Sequence, residues 1–415
     1  MARGTRKVNS SSKTGSSSVG NAGPGTRVAV VIGGAGFTGQ YLVRRLLQGL
    51  EKPFCEPYGE VRIVDTLQPS ADVAGDARVH YFQGAVGAGT DDFLREAFAG
   101  ATSCFYVAST DSRTLSRSRA WRTNVYGAMQ CLEFAQCSGL KAFVYTSSHN
   151  VVCDFRTPIR GADEVTSRIP SRHCDVYSAS KAAAEQLILA RDTPGQLRVC
   201  AIRPVGIYGP GEQVHFNRLF QLSRYLGMHW IETVPHDPFC MDWVHVESVA
   251  DALLLGAAAL MDPERQPLVA GKAFFVTDDG GPTSVQRVFD PVLEAAGIRL
   301  PKQRFRVHWR LLYVFALMCE LVAWVLDDKP LLMRMEIRKA HIAHTFRTDA
   351  ARQALGYAPR YTTAAGIQAW AELVRKQLAG RVLETDPIEI RRLCRQVASI
   401  SSIFIIVTAV AASVA

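Results

Sequence analysis

The feature that most limits what this chain can become is the run from Val28 to Gly39. An apolar stretch of strand length, Val28–Ile32, passes directly into Gly33-x-x-Gly36-x-x-Gly39, and helical spacing follows over Tyr41–Leu50. A buried strand entering a glycine turn and leaving as a helix brings backbone N–H groups and the positive end of a helix dipole to one point, where an anionic phosphate is stabilised. One glycine permits the tight turn, one lets a pyrophosphate approach the backbone, and one lets the helix pack on the strand. Phe37 and Thr38 stand at the helix start and join the glycines as expected cofactor contacts.

The same alternation continues downstream. Apolar runs at Val61–Val64, Cys104–Val107, Phe143–Tyr145 and Val199–Ile202 are separated by helical stretches such as Trp121–Cys137 and Ser178–Ala190. Short continuous apolar strands joined by helices imply parallel βαβ units buried on both faces, hence an α/β chain with a doubly wound parallel sheet, the Rossmann arrangement. The expected division is a basic, Ser-rich disordered arm over 1–26, a dinucleotide-binding and catalytic domain over 27–205, a smaller C-terminal substrate lobe over 206–380, and a tail over 381–415. The second strand ends in Asp65. An acid there accepts hydrogen bonds from the adenine ribose and repels a 2′-phosphate, which favours NAD over NADP; the plainer role of such an Asp is to cap its own turn.

Composition sets outer limits. With 48% hydrophobic and 20% charged residues, most of the chain should bury a core. The net charge of +9 is partly local, because the stretch before Glu51 holds no acid, and no basic stripe with interleaved aromatics points to nucleic acid. The arm is too polar to offset its ordering entropy, although an organelle-targeting segment has a similar composition. The ten cysteines form no C-x-x-C pair and no metal-ligand spacing, so free thiols and no metal site are expected.

Chemistry is carried by Tyr177-Ser-Ala-Ser-Lys181. Residues four apart share a helix face, so a phenol and an ammonium point the same way. A phenol of pKa near 10 is a poor base at neutral pH, and a neighbouring cation favours its phenolate. Ser148, in Val144-Tyr-Thr-Ser-Ser148, ends a strand and should face the crevice where open α/β sheets bind ligands. Asn124 is an unfavourable residue within a helix, and holding a water that links Lys181 to solvent would be a reason for it.

Taken together, the glycine motif, Asp65, Asn124, Ser148 and the Tyr177/Lys181 pair resemble the extended short-chain dehydrogenases. Ala201–Gly211 and Asp242–Ala250 are similar to later segments of that family, and Gly271–Asp279 and His344–Pro359 to its 3β-hydroxysteroid dehydrogenase branch. The resemblance spans about residues 27–378. It implies further cofactor contacts at Ala85, Val86, Ala108, Ser109, Arg203, Pro204 and Val205, besides Tyr177 and Lys181. Two positions depart from the family pattern. Ala85 stands where an adenine-binding Asp is usual, and Val107-Ala108-Ser109 replaces His-x-Ala.

The resemblance implies NAD-dependent oxidation of a sterol or steroid 3β-hydroxyl to a ketone, with Tyr177, Ser148, Lys181 and Asn124 as the catalytic group. Loss of CO2 follows where the sterol carries a 4α-carboxylate. The rival readings are a nucleotide-sugar epimerase or dehydratase on the same fold and a non-catalytic NAD sensor. Two stretches suit a membrane-associated protein. Leu311–Leu326 is apolar but for Glu320 and short for a span, which fits a core helix or one lying in a membrane interface. Val397–Ala415 is uncharged and follows Arg391, Arg392 and Arg395, as a C-terminal anchor or a surface-docked tail would. A sterol substrate fits the cytosolic face of the endoplasmic reticulum, with the mitochondrion as the other location, and a homodimer is the default assembly.

Overall fold

A computed structural model describes residues 25–378 apart from 51–54, 90 and 236, together with isolated positions between 391 and 399. Most of the N-terminal arm and nearly all of the apolar segment 397–415 lie outside the described residues. The main sheet has seven parallel strands: β1 (Val28–Ile32), β2 (Glu60–Asp65), β3 (Val79–Gln83), β4 (Ser103–Tyr106), β5 (Ala142–Thr146), β6 (Arg198–Pro204) and β7 (Lys272–Val276). Their spatial order is β7-β6-β5-β4-β1-β2-β3. The chain winds outward from β1 to β3, then returns to β4 on the other side of β1 and winds the opposite way. A crevice therefore opens beyond the C-terminal ends of β1 and β4, where ligands of such sheets bind.

Alternation along β1 shows why two helical layers form. Val28, Val30 and Ile32 point to one face and pack with Val125 and with Ala128, Cys131 and Leu132 of α2 (Ala128–Cys137) and Ala184 and Ile188 of α3 (Val176–Leu189). Ala29 and Val31 point to the other, against Leu42, Val43 and Leu46 of α1 (Phe37–Gln48) and Val249, Ala252 and Leu253 of α4 (Val246–Met261). All five β1 side chains are buried. At about 1.5–3 kcal/mol for each large apolar side chain, a strand with no polar position is stable only between two layers.

The expected boundary at residue 205 does not close the sheet. Strand β7 and helix α4 both come from the stretch assigned to the second lobe, and both complete the dinucleotide-binding layer. The long helix expected over Trp121–Cys137 is present but not uniform, because Trp121–Gly127 is a π-helical segment between an α-helical turn and α2. Edge strand β3 leaves no clear apolar run in the sequence, because four of its side chains are half-buried and Gln83 is exposed.

The rest of the second lobe packs around aromatic rings. Phe216 lies 4.7 Å from Trp370 and Trp243 5.0 Å from Phe289, ring centre to ring centre. Helix α5 (Trp309–Val325) buries Ala316, Cys319 and Ala323 on one side, and its Glu320 carboxylate accepts from Arg334 Nε at 2.8 Å at the start of α6 (Arg334–Lys339). Its other side is open, with Leu311, Val314, Leu321, Trp324 and Val325 exposed. No helix among the described residues is long and apolar enough to cross a membrane. The described cysteines are free thiols, all buried but Cys137 and Cys174.

Strand β6 is tied to α3 by a buried bidentate pair, Arg203 Nε to Glu185 Oε2 at 2.9 Å and Arg203 Nη2 to Oε1 at 2.6 Å. Removing one partner strands a buried charge, so Glu185→Ala should cost about 3–5 kcal/mol in urea unfolding. A loss below about 1 kcal/mol, the worth of an exposed pair, would mean that water reaches Arg203.

Candidate active site

A cavity of about 640 Å³ lies over the C-terminal ends of the strands. The β1–α1 turn forms its floor. Gly33 has φ +85°, and a Cβ there would sit 2.6 Å from the Ala108 backbone after β4. A Cβ on Gly39 would sit 2.1 Å from the Gly33 carbonyl oxygen. Helix α1 begins without a side-chain cap and without an acid in its first turn. Its first N–H groups are therefore unneutralised and directed at the cavity, as a pyrophosphate requires.

Asp65 caps its own turn and also lines the cavity. Its Oδ2 accepts from the Ala35 N–H of the glycine turn at 3.0 Å, and Oδ1 accepts from Leu67 N–H at 3.0 Å. Each oxygen keeps a second lone pair, and the residue lines the cavity beside Ala85 and Val86. The glycine cradle, the open helix end and the acid wall fit a dinucleotide.

At the other end, β5 delivers Ser148 and the first turn of α3 delivers Tyr177. Asp175 caps that helix by accepting from Ser178 N–H at 2.7 Å, a side-chain cap that fixes where the helix starts. The hydroxyls of Ser148 and Ser109 lie close enough to the Tyr177 phenol to favour its anion. Ser109 is one of the residues that depart from the family pattern, and the departure brings a hydroxyl near that phenol. Burial pushes that phenol up to about 12, against the pull of the two serine hydroxyls, while the Asp175 and Asp111 carboxylates push it further up. Lys181 is buried one helical turn on, where its Nζ donates to the Thr146 carbonyl at 2.7 Å and lies 4.7 Å from the Tyr145 ring centre. Burial pulls its ammonium down to about 7, and Glu185 resists. Burial thus shifts these two neighbouring groups in opposite directions, a pattern frequent at sites that move protons.

Of the residues expected from the sequence, Gly33, Gly36, Phe37, Thr38, Gly39, Asp65, Ala85, Val86, Ala108, Ser109, Ser148, Tyr177, Lys181, Pro204 and Val205 line this one cavity. Two stand behind its wall. Arg203 is spent on Glu185, so its guanidinium does not reach the cavity. Asn124 is wholly buried in the π-helical segment. Its Oδ1 accepts from Thr110 N–H at 3.0 Å and its Nδ2 donates to Ser180 Oγ at 2.9 Å. Its amide thus ties the loop after β4 to α3, the two elements that hold Ser109 and Tyr177.

Sequence reading missed part of the cavity wall, which carries Met241, Trp243, Val285, Met335 and Lys339. It also missed His149, which stacks on His344 at 5.5 Å, ring centre to ring centre. Both rings are buried, and burial lowers both, His344 to about 3. Trp243 and His344 lie in the family-like segments Asp242–Ala250 and His344–Pro359 but carried no site role there, and the others belong to no spaced motif. For His149 the signal was its adjacency to Ser148.

The model of the 3-beta hydroxysteroid dehydrogenase/isomerase family matches residues 30–307. Short-chain dehydrogenase/reductase family 42E member 1 of Xenopus laevis is 30% identical over 355 residues, covering 82% of this chain and 87% of that one. The 3 beta-hydroxysteroid dehydrogenase/Delta 5→4-isomerase of Mycobacterium tuberculosis is 30% identical over 354 residues, 80% and 86% of the two chains. Among solved structures, a dTDP-glucose 4,6-dehydratase from Streptomyces venezuelae, described with NAD bound, superposes with a TM-score of 0.62. It is 22% identical over 85% of this chain and 98% of that one, a likeness of fold.

Two predictions follow from the geometry. Gly39→Ala forces a methyl against the Gly33 carbonyl, and such overpacking costs about 1–3 kcal/mol; calorimetric titration should show NAD affinity reduced at least about tenfold, the equivalent of 1.4 kcal/mol. Because burial lowers Lys181 from 10.5 to about 7, the unfolded chain binds more protons between those pH values, and the contribution of this group to stability rises with pH across that window. In Lys181→Met the unfolding free energy should climb less steeply from about pH 7 to 10 than in the wild type; parallel curves would show that the ammonium is solvated.

Proposed function

The chain belongs to the 3-beta hydroxysteroid dehydrogenase/isomerase family, and on that premise we propose that it oxidises the 3β-hydroxyl of a sterol to the 3-ketone, with loss of CO2 where a 4α-carboxylate is present. The protein is an oxidoreductase, an NAD-dependent dehydrogenase. The observation that carries the finer reading is the mixed lining of one cavity. Tyr177, Ser109 and Ser148 share it with Met241, Trp243, Val285 and Met335, polar chemistry beside apolar surface.

The glycine turn and the start of α1 would hold the NAD pyrophosphate, and Asp65 the adenine ribose. When bound, NAD supplies a hydride acceptor and a positive charge beside the phenol. Tyr177, as phenolate, takes the proton of the 3β-hydroxyl, while Ser148 holds the same oxygen. Ser109, near the phenol, favours its anion. The Lys181 ammonium, fixed by the Thr146 carbonyl, adds positive charge on the same helix face. Asn124 positions both sides of this arrangement. A carboxylate on C4 then lies β to the new ketone. Its C–C bond breaks, the electron pair passes into the enolate, CO2 leaves, and C4 takes a proton from solvent.

A sterol is nearly insoluble in water, and the open apolar side of α5 supports docking at a membrane surface. We place that surface on the cytosolic face of the endoplasmic reticulum.

The test is NADH formation by purified protein with NAD and a 4α-carboxysterol, a plain 3β-hydroxysteroid and dTDP-glucose. Sterol oxidation is expected. Tyr177→Phe should lower kcat by about 10²- to 10⁴-fold with NAD affinity retained. Turnover of the nucleotide sugar with neither sterol oxidised would overturn the reading.

A further inference from the structure

We propose that Lys339 is the anion-recognition residue of the substrate cavity, pairing with a carboxylate carried by the sterol; this rests on the sterol reading above and extends it to how one class of sterol is selected. Lys339 is the last residue of α6 and lines the cavity, half-buried. Among the described residues the cavity wall holds two lysines. Lys181 is committed to the Thr146 carbonyl, whereas Lys339 makes no hydrogen bond and no ion pair with the described residues. A partly buried ammonium without a partner is costly and is found where a ligand supplies the missing charge.

The groups around Lys339 do not neutralise it. Glu336, one turn back on α6, gives Oε1 to Arg218 at 2.6 Å and Oε2 to the Met333 N–H at 2.9 Å. Asp175 is occupied as the cap of α3, accepting from both Ser178 N–H and Ser178 Oγ at 2.7 Å. The two thiols facing Lys339, Cys153 and Cys240, are pushed up by burial and stay neutral. His149 and His344 are held neutral as well. The positive charge thus opens onto the cavity alone.

Its position identifies the ligand. Asp175 is within electrostatic reach of both Tyr177 and Lys339, and Lys339 is within reach of His149, the neighbour of Ser148. The ammonium therefore belongs to the catalytic end of the cavity, away from the glycine turn where the cofactor phosphates belong. Met241, Trp243, Val285 and Met335 line the same cavity, as does Glu336, which is already paired with Arg218. One cation beside this apolar surface matches one carboxylate on a hydrophobic body. A diphosphate would call for several cations, and no arginine lines this cavity among the described residues.

The experiment measures equilibrium binding to the protein–NADH complex, in which no oxidation occurs, by the change in NADH fluorescence. The ligands are a 3β-hydroxysterol 4α-carboxylic acid, its methyl ester and UDP-glucuronic acid. The wild type should bind the acid about ten- to a hundredfold more tightly than the ester, the range of a charge-assisted hydrogen bond. Lys339→Met should bring the acid to the affinity of the ester, and Lys339→Arg should restore part of the difference. NADH binding serves as the control for folding. Equal binding of acid and ester by the wild type, or a preference that survives in Lys339→Met, would overturn the proposal and leave the sterol reading intact. Binding of neither sterol form would remove both. Tight binding of UDP-glucuronic acid that is lost in Lys339→Met would assign the lysine to a sugar nucleotide and overturn both.

Discussion

The structure depends on how closely helix α1 folds back onto the end of β1. At Gly39 a single added carbon would fall 2.1 Å from the Gly33 carbonyl, and at Gly33 it would meet the backbone after β4. These contacts leave no room for a side chain at Gly33 or Gly39, so at both the backbone itself faces its neighbours. That has a chemical consequence, because backbone N–H groups at a helix start present several donors to a phosphate at once without any side chain. The reversal of strand order at β1 and β4 places this turn at the mouth of the crevice, and the other site elements are arranged around it.

From there the site is organised by burial working on charge. The same low-polarity surroundings raise the Tyr177 phenol and lower the Lys181 ammonium. Neither group is in its reactive form without help, which is why the hydroxyls of Ser109 and Ser148 and the carbonyl of Thr146 matter. Behind them the Arg203–Glu185 pair and the buried Asn124 amide hold β6, α3 and the loop after β4 in register. These interactions are interior, and their role is to keep a phenol, two hydroxyls and an ammonium at one end of a cavity.

The second lobe answers a different demand. It closes the cavity with methionine and tryptophan side chains and leaves Lys339 as an unmatched charge. It also carries α5, whose buried side is anchored by small residues and by Glu320 to Arg334 while its outer side stays apolar and exposed. The charged residue that interrupts an otherwise apolar stretch is therefore an anchor within the lobe.

Much of this was legible in the linear chain wherever chemistry depends on local spacing. The glycine turn, Asp65 at a strand end and the four-residue step from Tyr177 to Lys181 are all short-range patterns, and each fell on the same cavity. The doubly wound sheet was legible as well, because strands buried on both faces read as unbroken apolar runs. Other features could be decided only by tertiary contacts. Arg203 follows the pattern of a cofactor contact but is turned away by Glu185, a partner on another element. Asn124 explains itself only once Thr110 and Ser180 are beside it. Strand β7 and helix α4 complete the first domain from beyond its apparent end, and the rest of the cavity wall, with Lys339, comes from residues far along the chain that, Trp243 apart, lie in no motif. The division has a physical reason. Backbone geometry and helix periodicity act over a few residues and leave a mark on sequence, whereas the partner of a buried charge is chosen by packing between elements, which distance along the chain does not record.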